Sequence, residues 1–164
     1  MSDLLLRAPI QYEPKTNNRW LLRFPTDIGI QSWAVVSCDS PKMTLETKEM
    51  AFINTSTYVN TMYKWGSMSI TLRDMIAPSQ SQALMEWLRL CAESVTGRMG
   101  YAIGYAKTLE LESLDPTGVA VEKWVLVNAI PTTETSFGTL DYNNSDVRTI
   151  SFSIQPQYCI HLYG

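Results

Sequence analysis

The chain has 164 residues, which is enough for one domain and short for two. Its formal net charge is −3. Proteins that bind the phosphates of nucleic acid cluster Lys and Arg, so this composition argues against a nucleic-acid-binding protein of that class. Charged residues make up 18% of the sequence, below the usual ~25% for soluble domains, which leaves more neutral surface for contact with other protein.

The sequence predicts no targeting segment, disulfide framework or zinc site. No window holds about 18 consecutive apolar residues, and the run from Leu4 to Leu6 is too short for a signal peptide. Synthesis in a reducing cytoplasm is therefore expected. Cys38, Cys91 and Cys159 are odd in number and widely spaced, so we expect buried or half-buried thiols that pack as small apolar groups.

The first forty residues predict an arm followed by two strands. Prolines and a polar run argue against regular structure in residues 1–18, which are expected to form an N-terminal arm. Residues 19–24 predict a short strand and residues 30–40 a second one. A turn containing Pro and Gly separates them over 25–29.

Two later segments, 42–49 and 66–74, alternate strictly between apolar and polar residues. Met43, Leu45 and Thr47 share one face of the first segment. In the second, an apolar face is opposed by a face of Ser, Thr and Arg. Strict period 2 of this kind is typical of half-buried antiparallel strands.

The stretch between them, residues 49–65, predicts an extended loop, and long connections tend to be functional or disordered. Ordering a loop of this length costs on the order of 15–30 kcal/mol. Aromatic residues, Met and few charges are what interface cores prefer, and their burial against a partner would offset that cost. We hypothesise that the loop contacts an adjacent subunit rather than folding over its own domain, through Phe52, Tyr58, Met62, Tyr63 and Trp65.

One helix is predicted, over about residues 79–96. Ser79 and Gln82 fit a capping box, and Gly97 fits a C-terminal stop. The apolar residues at helical spacing form one stripe, so the helix should lie against one sheet. The residues expected to pack there are Leu84, Trp87, Leu88 and Cys91.

The remaining sequence predicts mostly strands. A glycine-rich loop over 97–106 precedes strands at 107–114 and 119–130, a connector over 131–138, a last strand at 147–156 and a C-terminal tail. The total of about seven or eight strands and one helix indicates a β-rich α+β fold.

No catalytic constellation is evident, so no catalytic residue, metal ligand or cofactor is predicted. His161 is the only histidine and lies near the chain end, where we expect a packing or surface role on a frayed tail. Glu110 and Glu112 share one strand face, which is expected to be solvated. The common nucleotide-binding, metalloprotease and hydrolase motifs do not occur.

Hydroxyl groups with few charges line the outward faces of several predicted strands. One interpretation is an ordinary solvated sheet, because Thr suits strands. The other is the lining of a channel, where hydroxyls would avoid the phosphate binding that Lys and Arg give to DNA. Both remain open, and the candidate lumen-facing residues are Thr44, Glu46, Ser67, Ser69, Thr71, Thr149, Ser151 and Ser153.

From about residue 19 to residue 160, the order of these elements resembles the tail tube proteins of contractile-tailed bacteriophages, which are related to pyocin and type VI secretion tube subunits. The resemblance is carried by the paired strands around the long loop (42–74), the helix segment "ALMEWLRLC" and the block "VEKWVLVNAIPTTETSFGTLDYNNSDVRTISFSIQPQYC". These features are diagnostic in combination rather than singly.

The resemblance implies a single domain over residues 1–164, with an antiparallel β-barrel or sandwich and one flanking helix. It implies hexameric rings that stack helically into a hollow tube, through which DNA passes without specific binding. The implied partners are further copies of the chain and the tail sheath, tape-measure and baseplate proteins, with no membrane anchor. The implied location is the virion tail, assembled in the host bacterial cytoplasm, and no enzyme activity is implied.

Alternatives of other kinds stay open at this point. A tube initiator in the baseplate, or the tube subunit of a tailocin or secretion device, would share the fold. A small ligand-binding β-barrel is a third class, which would need an apolar pocket with converging polar groups.

Overall fold

The computed structural model describes residues 13–163, so most of the arm predicted for residues 1–18 lies outside the described residues. Within the described range, nine strands and two helices follow in chain order. The strands are β1 (Trp20–Arg23), β2 (Val35–Cys38), β3 (Met43–Phe52), β4 (Thr55–Trp65), β5 (Met68–Arg73), β6 (Lys107–Leu114), β7 (Ala120–Ser136), β8 (Thr149–Gln155) and β9 (Tyr158–Tyr163). The helices are α1 (Gln80–Cys91) and α2 (Ala102–Tyr105), and Ser32–Ala34 form a 3₁₀ turn.

Seven strands form one antiparallel sheet, and the other two form a separate two-stranded sheet. The large sheet runs in the order β1–β6–β7–β8–β5–β2, with β9 paired to β7, and it does not close into a barrel among the described strands. β3 pairs with β4 alone. The β-rich α+β prediction with one main helix is confirmed.

The alternation predicted for residues 66–74 is confirmed by β5 and its partner β8. Met68, Ile70 and Leu72 are each 0% exposed. They face Ile154, Phe152 and Ile150 across the strand pair, and these are also buried. One face of this pair therefore forms the centre of the core.

β7 continues beyond the strand predicted at 119–130, so the connector predicted for 131–138 is wrong through Ser136. Asn128 and Thr133 have φ of 51° and 56°, and each lies where the strand register shifts. Such bulges bend a strand and tolerate a proline such as Pro131. The first part of β7 therefore pairs with β6 and β9, and its end pairs with β8.

Residues 30–40 form less strand than predicted. The 3₁₀ turn at Ser32–Ala34 occupies the first part, and only Val35–Cys38 pair, with β5. The C-terminal tail, in contrast, is more ordered than predicted. β9 pairs with β7 from Tyr158 to Tyr163, so the frayed tail expected around His161 is wrong.

α1 is shorter than the predicted helix over 79–96. The hydroxyl of Ser79 accepts the N–H of Gln82 at 3.4 Å, as the predicted cap requires, and two further N–H groups donate to Asp74. The helix ends because Ala92 is extended and forms a β-bridge with Met99. Residues 92–99 thus turn back on themselves instead of continuing the helix.

The residues predicted to pack α1 on the sheet differ in burial. Leu84 and Trp87 are buried at 0% and 1% exposure, and the Trp87 ring meets Phe152 edge-on with centroids 6.3 Å apart. Leu88 and Cys91 are only half-buried, although Leu88 packs against the core. Gln80 is fully buried, which the sequence did not indicate. Its side chain accepts the N–H of Gln31 and donates to a carbonyl.

The extended loop predicted for residues 49–65 is wrong as secondary structure. These residues belong to β3 and β4, which are joined by a two-residue turn at Ile53 and Asn54. The half-buried strand predicted at 42–49 is also wrong, because every residue of β3 is exposed. The alternation is present, but no residue in the described range buries either face of β3.

Two glycines in the segment after α1 allow a matched stability test. A Cβ on Gly100 would lie 1.9 Å from the backbone oxygen of Leu90, whereas a Cβ on Gly104 would meet nothing within 4 Å. Gly100→Ala is therefore expected to lower the free energy of unfolding by about 1–3 kcal/mol. Gly104→Ala should be neutral or slightly stabilising. Urea unfolding of both variants measures the difference, and equal stabilities would contradict the close packing at Gly100.

Candidate assembly surfaces

β3 and β4 together form a two-stranded ribbon, defined here as residues 43–65. Its register runs from Met43 opposite Trp65 to Phe52 opposite Thr55, with one bulge beside Thr47. The side chain of Thr47 hydrogen-bonds to that of Asn60 at 3.0 Å. The ribbon is therefore a continuous ladder from base to tip rather than irregular chain.

The ribbon exposes apolar side chains on both faces. Residues directly opposite each other share a face, so the register places Tyr58, Tyr63 and Trp65 on one side and Phe52 and Met62 on the other. Phe52, Tyr58, Met62 and Tyr63 are 70%, 64%, 55% and 59% exposed, and Trp65 is half-buried. Four of the five residues predicted to contact a partner are thus available to one.

The ribbon is attached to the rest of the chain at its base. The carbonyl of Trp65 accepts the side-chain N–H of Gln155 at 2.6 Å, and the rings of Trp65 and Trp124 meet edge-on with centroids 6.3 Å apart. The backbone of Gly66 also donates to the carbonyl of Lys42 at 2.8 Å. All ten residues of β3 are exposed up to the tip, so the ribbon is not folded over its own sheet.

The hydroxyl-bearing residues of β5 and β8 form one continuous outward face. Ser69 lies opposite Ser153 and Thr71 opposite Ser151, on the side away from the buried core residues. Thr149 lies opposite Arg73 at the end of the same face, and Ser67 is exposed just before β5. The structure therefore brings together most of the candidate lumen-facing residues.

Thr44 and Glu46 do not belong to this hydroxyl face, because both lie on β3 of the ribbon. Glu46 pairs there with Lys64 at 2.8 Å. Three further members of the face were not predicted from the sequence, namely Ser37 on β2 and Thr132 and Ser136 on β7. Their membership depends on strand pairing between distant segments, which alternation within one segment does not reveal.

One carboxylate collects three donors where β7, β9 and the N-terminal segment meet. Lys15 Nζ and His161 Nε2 both contact Glu122, and the indole N–H of Trp124 donates to it at 3.1 Å. The His161 ring stacks on Trp124 at 4.2 Å and meets Tyr163 at 4.5 Å. The Lys15 ammonium lowers the pKa of Glu122, His161 adds to this effect, and desolvation opposes it.

The cysteine thiols and the Glu112 carboxylate, which are groups of a kind that can support catalysis, are buried or paired within the fold. Burial, together with the Asp39 charge, raises the pKa of Cys38 to about 12, and burial raises that of Cys159 to about 11, so both thiols stay protonated. Glu112 is buried and pairs with Arg23 at 3.3 Å, so the solvated face predicted for it is wrong. Among residues 13–163, no group of three or more His, Cys, Asp or Glu side chains could hold a metal ion.

No helix in the described range combines the length and the apolar character that crossing a membrane requires.

The sequence matches no protein-family model and no curated protein. Solved structures of contractile machines share its fold. A chain in the anti-feeding prophage (AFP) baseplate has a TM-score of 0.70 and 17% identity over 93% of this chain and 98% of that one. A chain in the AFP tube-terminating cap has a TM-score of 0.73 and 12% identity over 100% of both chains.

A third similar structure is the extended sheath–tube complex of an extracellular contractile injection system (PVC). Its matching chain has a TM-score of 0.67 and 12% identity, and the match covers 94% of this chain and 95% of that one. At these identities the similarity establishes the fold. The chain has the tail-tube-like fold that the resemblance implied.

The Glu122 cluster predicts a pH-dependent contribution to stability. Glu122→Gln removes the charge but keeps an acceptor oxygen, so the free energy of unfolding at pH 7 should fall by about 1–2 kcal/mol. Because the folded-state pKa of Glu122 is lowered, this contribution is present above the unfolded pKa and is lost as the pH falls through the folded value. The two proteins should therefore converge in stability as the pH falls below about 4.

Urea unfolding at neutral and acidic pH measures this convergence. Glu134→Gln serves as the control, because Glu134 is exposed and makes no ion pair within the described range, so it should change little. A stability difference for Glu122→Gln that is the same at both pH values would contradict the ion-pair explanation.

Proposed function

We propose that this chain is the structural subunit of a tube in a contractile tail or injection device, and that it acts by self-assembly rather than by catalysis. The ribbon is the observation that carries the proposal. A two-stranded hairpin is at best marginally stable alone in water, yet this one extends from the sheet with apolar side chains exposed on both faces. A partner surface would supply the burial that the chain itself does not.

The partner in this proposal is a neighbouring copy of the same chain. Phe52, Tyr58, Met62 and Tyr63 make the contact, and Trp65 holds the base of the ribbon in place. Six copies form a ring, and head-to-tail stacking of rings gives a tube of fixed width. The similarity to chains in baseplate, cap and sheath–tube structures supports this arrangement through the fold alone.

The hydroxyl face of β5 and β8 lines the lumen in this proposal. It offers Ser69, Thr71, Ser151 and Ser153, and the charged side chains nearby include Arg73, Glu134, Asp141, Asp146 and Arg148. Such a face stays wet without holding the cargo, since the phosphate contacts that bind DNA need several basic side chains. In this proposal the cargo is DNA, the tube belongs to the tail of a virion, and the partners besides further copies are the sheath, tape-measure and baseplate proteins.

A second role with the same fold is a protein at one end of the tube, either an initiator in the baseplate or a terminator. Structures of a baseplate and of a tube-terminating cap both contain a chain with this fold. Electron microscopy of the purified protein separates the two roles, because a tube subunit forms long tubes whereas an end protein forms single rings.

Shortening the ribbon tests whether it holds copies together. Replacing residues 49–58 with Asn-Gly keeps Lys48 opposite Val59 and closes the strands with a favourable two-residue turn. We expect a folded monomer that no longer polymerises, because the removed residues lie beyond the ribbon's attachment to the sheet. Light scattering and negative-stain microscopy measure assembly, and circular dichroism checks the fold.

Tubes like those of the wild type, formed by the shortened chain, would overturn the proposed role of the ribbon. A wild-type chain that stays monomeric at high concentration would overturn the tube proposal itself and favour a small ligand-binding domain.

Thiol labelling tests which face lines the lumen. Ser151→Cys is introduced into a chain whose three native cysteines are replaced by Ser, and tubes are treated with a small maleimide or with a bulky polymer-linked one. A lumen position should react with the small reagent and resist the bulky one by at least about ten-fold. The same substitution in the ribbon-shortened monomer is the control and should react with both reagents.

Equal labelling by both reagents in tubes would place Ser151 on the outer surface, and labelling by neither would place it in a contact between subunits. Either result would contradict the lumen assignment.

A further inference from the structure

A second uncovered apolar surface lies beyond the end of α1. We call residues 90–103 the helix-end segment. Val95, Met99, Tyr101 and Ile103 are 92%, 78%, 89% and 93% exposed, and Leu90 is 49% exposed. A cluster of this kind on a small protein is typical of an interaction site.

The helix-end segment is ordered although it is exposed. Ala92 forms a β-bridge with Met99, and the N–H of Gly100 donates to the carbonyl of Cys91 at 2.9 Å. The tight approach of Gly100 to Leu90 fixes the segment against the helix. The backbone contacts therefore hold the apolar side chains of this segment in an exposed position.

The ribbon of the same chain does not cover this segment. The contacts of the ribbon with the rest of the chain lie at its base, around Trp65. Val95 and Ile103 remain almost completely exposed, and Phe52 beside the ribbon turn is 70% exposed. Within residues 13–163, two ordered apolar surfaces in different parts of the chain are thus both left uncovered.

The two surfaces carry complementary charges. Lys48 and Glu49 are consecutive residues at the start of the outer half of β3, four and three positions before Phe52, and Glu93 and Arg98 face each other across the small turn of the helix-end segment. All four are exposed, and none makes an ion pair within residues 13–163, although Thr96 donates a hydrogen bond to Glu93. Each surface offers one unpaired acid and one unpaired base.

We propose that the outer half of the ribbon of one copy, residues 48–59, docks onto the helix-end segment of another copy. The inference rests on the proposed tube function and names the two surfaces that meet. Lys48 faces Glu93 and Glu49 faces Arg98, while the apolar residues around Phe52 cover Val95, Met99 and Ile103. Lys48 and Glu49 are consecutive on one strand and point to opposite faces of the ribbon, so the ribbon enters the surface of the other copy with both faces in contact.

A contact of this kind is heterologous, because the surface used on one copy differs from the surface used on the other. Each copy that donates its ribbon leaves its own helix-end segment free for the next copy. Repetition of such a contact produces closed rings or open filaments rather than dimers. The arrangement therefore fits a subunit that has to assemble without limit in at least one direction.

Charge exchange tests the pairing at constant net charge. The double variant Lys48→Glu/Glu49→Lys reverses the ribbon charges, and Glu93→Arg/Arg98→Glu reverses those of the helix-end segment. Each double variant should raise the concentration needed for half-assembly by roughly ten-fold, because two attractive contacts become repulsive. The quadruple variant restores the complementarity and should assemble within about three-fold of the wild type.

Two results would overturn the inference. One is that both double variants assemble like the wild type, and the other is that the quadruple variant assembles no better than the worse double variant. Failure of the wild-type chain to assemble at all would instead count against the tube proposal, so the two failures are distinguishable.

A second set of variants tests the apolar part of the contact. Met99→Ser/Ile103→Ser should raise the half-assembly concentration by at least about ten-fold, because interface apolar groups lose their burial. Leu140→Ser/Tyr142→Ser is the matched control, since these side chains are 79% and 109% exposed in another loop. Equal effects of the two double variants on assembly would contradict a specific role for the helix-end segment.

Discussion

The antiparallel pairing of β5 with β8 is the interaction on which the rest of the structure depends. It aligns Met68, Ile70 and Leu72 with three buried partners and directs every intervening hydroxyl away from the core. α1 packs on this apolar face through Trp87, whose ring meets Phe152. A slip of one residue in this register would exchange the two faces, so the core and the hydroxyl surface are specified together.

The sequence predicts this part of the fold because alternation carries information when one face is buried. Apolar and polar residues also alternate in β3, but there neither face is buried in the described structure. The ribbon was missed as a hairpin because its turn places Ile53 at φ 50°, where a β-branched residue is unexpected. α1 ends earlier than predicted because Ala92 pairs with Met99. β7 continues through Pro131 because bulges bend the strand. Both effects depend on contacts between separate segments, which the local sequence pattern does not reveal.

The candidate assembly surfaces were predictable to different extents. The composition of residues 49–65 identified an unusual apolar stretch, whereas the helix-end segment was predicted as continuing helix and loop and was not singled out. Its exposure follows from the turn after Cys91, which carries Val95 away from the helix stripe. Surfaces of both kinds are stable features of the chain because backbone pairing, and not side-chain burial, holds them in place.

The two outer edges of the ribbon differ in a way that bears on aggregation. β3 carries Glu46, Lys48 and Glu49 along its length, whereas β4 carries Lys64 as its single charged residue. Charged side chains along a free edge oppose the pairing of further strands, and an edge without them is an open template. The ribbon is therefore protected against unwanted sheet growth along β3 and is less protected along β4.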